Sequence, residues 1–310
     1  MPLDRVNSVR NGAPIGLTGN GLELRQTDPI PSGAPLVLNA DIKAAAASST
    51  ASSQRLLSVR FDELDLDEAC AKIASRDPSE PFAYVVTPNA DHFIRLEQAE
   101  PALRNIYEAA WLSLCDSRVL RLLAGRRGIS LPLAPGSDLT RKLLEEVIRP
   151  DEPLTIIGCS PETIEILRAR FSLTRLTHHN PPMGFITDLA AVDVCLQAVL
   201  ENPARFVLLC VGSPQQEVLA AHLAAAGGAV GVGLCVGASL DFVTGVRRRA
   251  PLWMQRAHLE WLHRLISEPR RLWRRYILEA PRLIALIRRV PRASKGAGPQ
   301  RDGPDQRRGL

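Results

Sequence analysis

The 310-residue sequence contains no long run of uncharged apolar residues. A run of about 18 such residues would be needed to suggest a membrane-spanning helix, so we predict no spanning segment. The first 30 residues also lack the apolar core of a secretory signal. They are interrupted by charged side chains at Asp4, Arg5, Arg10, Glu23 and Arg25.

The sequence also lacks the cysteine patterns that bind metals. Its six cysteines form no CxxC pair, and none has a histidine at the spacing of a zinc site. Several lie inside apolar runs such as WLSLC, LTIIGC and FVLLC. We therefore predict buried, reduced thiols, as in a cytoplasmic protein, and no metal site.

Several catalytic and nucleotide-binding motifs are missing as well. The chain has neither the G-x-G-x-x-G fingerprint nor the Walker A pattern, and neither a G-x-S-x-G elbow nor an evident Ser-His-Asp order. These absences argue against an oxidoreductase of the dinucleotide-binding class, a P-loop kinase and a serine hydrolase.

Charge is distributed unevenly along the chain. The overall charge is +5, yet residues 245–292 hold 13 arginines against three glutamates, and residues 293–310 add a further +2. Residues 245–292 therefore carry +10 and residues 1–244 carry −7. An acidic body with a basic arm predicts an anionic partner at one end, which is a membrane surface, a nucleic acid or a phosphorylated substrate.

Both ends of the chain differ in composition from its middle. Residues 1–53 are rich in Gly, Pro, Asn, Ala and Ser and show no hydrophobic period, which predicts a flexible extension. Residues 293–310 have a similar bias and predict a disordered tail. Neither segment is expected to contribute to the fold.

The middle of the chain alternates between two patterns. Short apolar runs predict strands at 82–86, 110–115, 154–158, 175–179, 205–211 and 229–236. Helical spacing predicts helices at 90–98, 119–127, 139–149, 162–171, 189–200 and 216–226. Apolar strands separated by helices predict an α/β fold with a parallel sheet covered on both faces. Ligands of such sheets gather at the carboxyl ends of the strands.

The basic C-terminal segment has a helical pattern of its own. Residues 251–280 predict one or two helices, kinked near Pro269 and again at Pro281. Apolar residues recur at steps of three and four, at Trp273, Ile277, Ala280, Ile284 and Ile287. Arginines recur at steps of seven on another face, at Arg275, Arg282 and Arg289. This pattern suits an anionic membrane interface. It equally suits a helix that packs its apolar stripe on the domain and leaves its arginines in solvent.

Two strand ends carry polar side chains. Thr87 and Asn89 follow the first predicted strand, where they could line a pocket or cap the next helix. Asp116 follows the second strand, where a carboxylate can act as a general base or bind a ribose. Asp116 could also cap the helix that follows, and one aspartate can serve both purposes.

A third strand end has the features of an anion site. The run FVLLCV leads into Gly212, Ser213 and Pro214, followed by Gln216 and Glu217. Glycine permits close approach of the backbone, and proline suits the first turn of a helix. The free N–H groups of that turn could bind a phosphate or a carboxylate.

Taken together and in order, these segments resemble the WecG/TagA/CpsF family of bacterial glycosyltransferases, also called family 26. The resemblance runs from about residue 56 to residue 287. It is carried by VVTPNADHF (85–93), CDSRVL (115–120), GSDL (136–139), TIIGCSPE (155–162), NPPMGF (180–185), VGSPQQE (211–217), VGASLDFVTGVRRRAP (236–251) and HLEWLHRLISEPRRLWRRY (258–276).

The resemblance implies a fold and a reaction. It implies a Rossmann-like core over residues 54–245 and a basic helical appendage over 246–292, which contributes to the active site and to membrane binding. The implied reaction is an inverting, metal-independent transfer of a sugar from a UDP-sugar to a polyprenyl-diphosphate-linked saccharide, in exopolysaccharide or cell-wall glycan synthesis. The implied location is cytoplasmic, at the inner face of the cell membrane.

The resemblance also implies roles for individual residues. Asp116 occupies the position of the proposed base, and Thr87 and Asn89 match the pocket motif T-x-N. The family's G-x-P-x-Q-E run contains Gly212, Gln216 and Glu217, of which Gln216 would contact a sugar. Arg264, Arg271 and Arg274 would close over the diphosphate, since arginine binds phosphate oxygens well where no metal does so. No cofactor is implied.

Two positions depart from the family pattern. The family commonly has glycine after the aspartate, whereas Ser117 follows Asp116 here and is expected to restrict the backbone. A family arginine often precedes G-x-D-L, but residues 131–135 contain none, and Arg118 or Arg121 is the candidate replacement.

The basic arm leaves an alternative function, a non-catalytic nucleic-acid-binding protein. That alternative predicts a steep dependence of binding on salt. Against it, the sequence contains no recognisable nucleic-acid-binding module and its body is acidic. The partners we predict are therefore a UDP-sugar, a polyprenyl-diphosphate-linked acceptor and an anionic membrane surface, with no nucleic acid and with the option of a homo-oligomer.

Overall fold

The computed structural model describes residues 51–247 and 281–292, together with the single positions 251, 254 and 266. Most of the basic appendage and both chain ends lie outside this range. The described elements are the hairpin strands β1 (Ser53–Leu56) and β2 (Val59–Asp62), followed by helices and six further strands.

The six further strands form one parallel sheet. They are β3 (Ala83–Val86), β4 (Leu112–Ser113), β5 (Leu154–Gly158), β6 (Leu176–His179), β7 (Phe206–Cys210) and β8 (Val232–Cys235). Their order in the sheet is β4-β3-β8-β7-β5-β6, and every neighbouring pair is parallel. This confirms the predicted α/β fold with a parallel sheet.

Helices connect the strands and cover the sheet. They are α1 (Leu66–Ser75), α2 (Ala90–Gln98), α3 (Pro101–Glu108), α4 (Arg118–Gly125), α5 (Gly136–Glu146), α6 (Pro161–Phe171), α7 (Leu189–Leu200), α8 (Gln215–Ala226) and α9 (Ser239–Thr244). A short 3-10 helix, Phe185–Thr187, precedes α7. Residues 281–289 form a further helix, which we call the C-terminal helix.

The sheet separates two apolar clusters, because successive strand residues point to opposite faces. In β7, Val207 and Leu209 belong to one cluster, while Phe206 and Leu208 belong to the other. The first cluster includes buried residues of α2, α3, α4, α7 and α8, and the second includes those of α1, α5, α6 and α9. Helices therefore lie on both faces, as predicted.

Several boundaries differ from the sequence prediction. The second strand was predicted over 110–115, but only Leu112–Ser113 pairs with β3. β4 is an edge strand with one neighbour, so its pairing ends sooner than the apolar run does. Helix α5 begins at Gly136 rather than at residue 139, directly after Pro135. The hairpin and the helices α1, α3 and α9 were not predicted.

The C-terminal helix packs its apolar side on the domain. Leu283, Leu286, Ile287 and Val290 are buried in the first cluster, whereas Ile284 is 45% exposed. Of the apolar stripe named from the sequence, Ile287 is buried and Ile284 is exposed, and the arginines Arg282 and Arg289 are both exposed. The stripe residues Trp273, Ile277 and Ala280 lie outside the described residues. Within the described range, no helix is both long and apolar enough to cross a membrane.

Gly231 gives a test of the fold at the start of β8. Its φ is +81°, and a Cβ placed there would lie 2.5 Å from the Ala204 carbonyl oxygen and 2.6 Å from that of Arg205. Backbone atoms cannot move aside easily. We therefore expect Gly231→Ala to lower the free energy of unfolding by about 2 kcal/mol or more, measured by urea denaturation.

Gly125→Ala is the matched control for this measurement. Gly125 is the last residue of α4, and an added Cβ would meet nothing within 4 Å. Alanine favours a helix over glycine by up to about 1 kcal/mol, so stability should stay equal or rise slightly. Equal stability of the two variants would contradict the close packing at Gly231.

Candidate active site

Four neighbouring strand ends bring the predicted site residues to one edge of the sheet. β4, β3, β8 and β7 are adjacent and parallel, so their carboxyl ends form a continuous row. Asp116 follows β4, Thr87 follows β3, Gly237 follows β8 and Gly212 follows β7. The sheet therefore assembles residues that are as many as 150 positions apart in the sequence, from Thr87 to Gly237.

Asp116 lies at the start of α5. The side chain is half-buried, and its Oδ1 accepts a hydrogen bond of 3.3 Å from the backbone N–H of Gly136, the first residue of that helix. Pro135 precedes the helix and offers no side-chain cap. The positive end of the α5 dipole attracts the negative carboxylate, which fixes its position at the sheet edge.

Ser117, not Asp116, caps α4. Its hydroxyl accepts a hydrogen bond of 3.1 Å from the N–H of Leu120. The alternative in which Asp116 caps this helix is therefore wrong, and the carboxylate is not held by α4. Ser117 has φ −135°, an extended value that any residue adopts. The backbone at this position therefore does not need the conformational freedom of the glycine that the family commonly has.

Thr87 lies between β8 and Gly136, the residue whose N–H is hydrogen-bonded to Asp116. Its buried hydroxyl donates a hydrogen bond of 3.2 Å to the Cys235 carbonyl oxygen. Gly136 approaches from the other side, where an added Cβ would lie 3.0 Å from Thr87 Oγ1. Thr87 therefore holds the ends of β3 and β8 together, and a Cβ at Gly136 would require the Thr87 side chain to shift by a few tenths of an ångström.

Asn89 caps α2. Its side-chain oxygen accepts hydrogen bonds from the N–H groups of Asp91 and His92, at 3.0 and 3.2 Å. The alternative in which Asn89 caps the next helix is therefore confirmed. A contact with substrate remains a prediction that would involve the amide nitrogen.

Gly212 shapes the loop after β7. It has φ +83°, and an added Cβ would meet nothing within 4 Å, so the glycine serves backbone conformation and not close packing. A cis peptide bond joins Ser213 to Pro214. The carbonyl of Gly212 accepts a hydrogen bond of 2.9 Å from the N–H of Gln216, so one N–H of the predicted anion site is already bonded.

Gln216 connects the loops that follow β7 and β8. The side chain is 3% exposed, and its Oε1 accepts a hydrogen bond of 2.8 Å from the N–H of Gly237. Its Nε2 donates one of 2.9 Å to Glu217 Oε1. In this arrangement the amide orients Gly237 at the sheet edge.

Glu217 lies behind Gln216 and is fully buried. Burial raises the pKa of its carboxyl, while the hydrogen bond from Gln216 opposes the rise. Within the described part of the chain, its Oε2 has no hydrogen-bond partner. Any effect of Glu217 on a substrate would therefore be exerted through Gln216.

A polar network under the Gly212 loop was not predicted from the sequence. Arg95 donates a hydrogen bond of 3.0 Å to Ser213 Oγ, and the Tyr107 hydroxyl lies 3.3 Å from the same oxygen. Burial lowers the pKa of the neighbouring His92 to about 3, so its ring is neutral at pH 7. Arg95 and Tyr107 lie outside the family motifs, so no signal in the sequence marks them. Gly136 and Gly237 were also missed as site residues, although they lie in the motifs GSDL and VGASLDF.

The arginines predicted to bind the diphosphate divide into two sets. Arg264, Arg271 and Arg274 lie outside the described residues. Arg118 is the first residue of α4, directly after the Ser117 cap, and Arg121 lies one turn further along. Both candidate replacements therefore belong to the helix that begins next to Asp116.

Among the described residues, no group of three or more His, Cys, Asp or Glu side chains is arranged to hold a metal ion. All six cysteines are free thiols, and four of them are buried: Cys70, Cys115, Cys195 and Cys235. Burial raises the pKa of each of these four thiols.

Comparison with known proteins identifies the family. Residues 54–296 match the model of the Glycosyl transferase WecG/TagA/CpsF family, which is more than half of the chain. The protein therefore belongs to this family, which confirms the resemblance drawn from its motifs.

One characterised relative is similar over part of its length. It is the N-acetylglucosaminyldiphosphoundecaprenol N-acetyl-beta-D-mannosaminyltransferase of Bacillus spizizenii, 30% identical over 166 residues. The alignment covers 51% of this chain and 60% of the relative. The chain thus matches about three-fifths of the relative's length.

The buried Glu217 predicts a pH dependence of stability. Its pKa in the folded state is raised above the ordinary value of 4.5, so the stability it contributes is fully present below pH 4.5 and is lost as pH rises through the folded pKa. Glu217→Gln removes this titration and keeps an acceptor for Gln216. The unfolding free energy of the variant should therefore rise relative to wild type as pH increases above 4.5.

Glu165→Gln is the control, because Glu165 is an exposed residue of α6. Its difference from wild type should stay nearly constant across the same pH range. The measurement is urea denaturation at a series of pH values. A flat difference for Glu217→Gln as well would show that the Glu217 carboxyl is not destabilised by burial.

Proposed function

We propose that the protein is an inverting, metal-independent glycosyltransferase that moves a sugar from a UDP-sugar to a polyprenyl-diphosphate-linked saccharide. The observation that carries the proposal is the position of Asp116. Its half-buried carboxylate is fixed by the Gly136 N–H at the edge of the sheet where α/β proteins bind ligands. Membership of the family supports the reaction class, and the name of the Bacillus relative supports a lipid-diphosphate-linked acceptor.

Asp116 serves as the general base in this proposal. Its carboxylate removes the proton from the acceptor hydroxyl as the oxygen attacks the anomeric carbon from the face opposite the leaving group. The bond from the anomeric carbon to the UDP oxygen breaks, and UDP leaves with that electron pair. A single displacement inverts the anomeric configuration, and the proton remains on Asp116 until solvent removes it.

The neighbouring residues position the reactants. Thr87 and Gln216 hold the ends of β3, β7 and β8 together, so that Gly212 and Gly237 present backbone at the sheet edge. Glu217 keeps the Gln216 amide in one orientation. Asn89 is proposed to contact the substrate through its amide nitrogen, since its oxygen caps α2.

Arginines are proposed to stabilise the leaving diphosphate. Arg264, Arg271 and Arg274 belong to the C-terminal signature of the family, and a guanidinium can form two parallel hydrogen bonds to phosphate oxygens. Arg118 and Arg121 extend this set on α4. Charge placed there stabilises the diphosphate as negative charge develops on it in the transition state.

The acceptor also implies a location. A polyprenyl diphosphate is held in a bilayer, so the protein is proposed to act at the inner face of the cell membrane, in exopolysaccharide or cell-wall glycan synthesis. The donor sugar follows from pocket shape, and glucose and N-acetylmannosamine derivatives are the first candidates to test.

Mass spectrometry of reaction products tests the function directly. Purified protein is incubated with a panel of UDP-sugars and a polyprenyl-diphosphate-linked N-acetylglucosamine in detergent. We expect one donor to give an acceptor product heavier by a single sugar residue, with UDP released in equal amount. No product with any donor, in the presence of intact folded protein, would reject the proposed function for this acceptor.

Asp116→Asn tests the role of the base. An amide oxygen can still accept the Gly136 hydrogen bond, so the fold should be retained, but the amide cannot take up the proton. We expect kcat to fall by about 10²–10⁴-fold. The measurements are initial rates with the active donor and thermal unfolding of both proteins.

Asp193→Asn is the matched control, because Asp193 is an exposed residue of α7. It removes the same carboxylate charge away from the sheet edge and should leave kcat unchanged. Full activity of Asp116→Asn would overturn the assignment of the base.

A further inference from the structure

Two of the six cysteines differ from the others in their exposure. All six lie in the described part of the chain, and four of them are buried in the two apolar clusters, whereas Cys159 and Cys210 are only half-buried. Cys159 directly follows β5, and Cys210 is the last residue of β7. The two most exposed thiols therefore lie at the same edge of the sheet as the candidate active site.

The strands β5 and β7 bring these two cysteines side by side. The strands are neighbours in the sheet, and Gly158 pairs with Cys210 in their parallel register. Neighbouring strands lie about 4.8 Å apart and successive residues about 3.3 Å apart, which places the Cα atoms of Cys159 and Cys210 about 6 Å from each other. Disulfides usually join residues with Cα atoms about 4.4 to 6.8 Å apart. The backbone thus holds the pair within reach of a disulfide.

The backbone at the end of β5 is unusual. Gly158 has φ +99°, and a Cβ added to it would lie 2.8 Å from both the carbonyl carbon and the carbonyl oxygen of Cys210. On the other side, Nε2 of His178 in β6 lies 2.9 Å from the carbonyl oxygen of Gly158. Cys159 has φ +69°, a left-handed value that residues with a side chain rarely adopt. Contacts with both neighbouring strands therefore hold Cys159 in a conformation that glycine would adopt more easily.

The two thiols also interact with each other. A hydrogen bond with the Cys159 thiol is the largest cause that raises the pKa of the Cys210 thiol well above its ordinary value, and burial adds to the rise. Both side chains pack against the second apolar cluster. Neighbouring sulfurs on a backbone of suitable spacing are the arrangement that an intramolecular disulfide needs.

We propose that Cys159 and Cys210 form a reversible disulfide when the protein meets a low-molecular-weight disulfide, and that this bond ties the end of β5 to the strand that leads into the Gly212 loop. In a reducing compartment such a bond forms transiently and responds to redox conditions, and it does not serve as a permanent support of the fold. The bond itself is independent of the proposed function. Only its effect on sugar transfer rests on that function.

Oxidised glutathione supplies the oxidising equivalents in this proposal. The Cys159 thiolate attacks one of its sulfurs, the glutathione S–S bond breaks, and one glutathione thiolate leaves with the electron pair. Capping Cys159 removes the hydrogen bond that raises the pKa of Cys210, so Cys210 can lose its proton to solvent. The Cys210 thiolate then attacks the Cys159 sulfur, and the second glutathione leaves. Two cysteine thiols are oxidised, and one glutathione disulfide is reduced to two thiols.

Closure of this bond would act on the candidate active site through Gly212. Cys210 precedes Gly212 by two residues, and the loop that follows leads to Gln216, whose Oε1 accepts the hydrogen bond of Gly237. A covalent bond draws two sulfurs closer together than contact between thiols does, so the chain at Cys210 must shift. Gly158 leaves no free space beside the Cys210 backbone, so the shift is expected to pass into the Gly212 loop.

Mass spectrometry of tryptic peptides tests the site. Full-length wild-type protein is incubated with oxidised glutathione, treated with an alkylating reagent and digested without reduction. We expect a cross-link between the peptide that ends at Arg168 and the peptide 206–247, lighter than their sum by two hydrogen atoms and lost after treatment with dithiothreitol. The second peptide also contains Cys235, so Cys210→Ala should abolish the cross-link.

Two further variants complete this test. Cys159→Gly removes the thiol and suits the left-handed backbone, so the protein should stay folded and give no cross-link. Cys195→Ala is the matched control, because it removes a buried thiol of α7, and it should cross-link like wild type. Glutathione adducts without a cross-link, a cross-link that persists in Cys210→Ala, or no cross-link at all in wild type would overturn the proposal.

Transfer assays separate this proposal from the proposed function. Oxidised wild-type protein should transfer sugar roughly tenfold more slowly than the reduced protein, because small displacements in an active site are costly. Dithiothreitol should restore the rate, and Cys159→Gly should not respond to the oxidant. An unchanged rate in fully cross-linked protein would overturn the effect on the active site. A cross-link without transfer by either form would support the disulfide and reject the proposed function.

Discussion

The pairing of β3 with β8 is the constraint on which the site depends. It joins residues from Ala83–Val86 to residues from Val232–Cys235, so it brings the two halves of the chain together in the middle of the sheet. Gly233 permits this pairing, because the Phe82 ring occupies the space of its missing Cβ, 2.3 Å away. Without this contact, Asp116 and Thr87 would not share an edge with Gly237 and Gln216.

The site built on this pairing is held mainly by backbone groups. The Gly136 N–H holds Asp116, the Cys235 carbonyl holds Thr87, and the Gly237 N–H holds Gln216. Gly136 and Cys235 belong to a helix and a strand, whose backbone has little freedom to rearrange, so Asp116 and Thr87 are positioned before a substrate arrives. Such preorganisation suits the role of base proposed for Asp116.

The sequence predicted the strands well because each is a short, nearly continuous apolar run, as buried parallel strands require. It also located Asp116 and Gln216, since both follow such runs. It did not distinguish Asp116 from Ser117 as the cap of α4, because both residue types favour that position. Asp116 is instead hydrogen-bonded to the N–H of Gly136, 20 residues away, and such a tertiary contact leaves no local signal in the sequence. The contacts of Arg95 and Tyr107 with Ser213 depend on tertiary packing and leave no periodic signal.

Arg127, just after α4, donates hydrogen bonds of 2.8 Å to the carbonyls of Arg288 and Val290, which has a consequence for the order in which the molecule is made. Arg127 and Val290 are 163 positions apart, yet together they fix the end of α4. During synthesis, α4 and the aspartate before it are completed long before the C-terminal helix leaves the ribosome. The contact between α4 and the C-terminal helix can therefore form only after residue 290 has been synthesised.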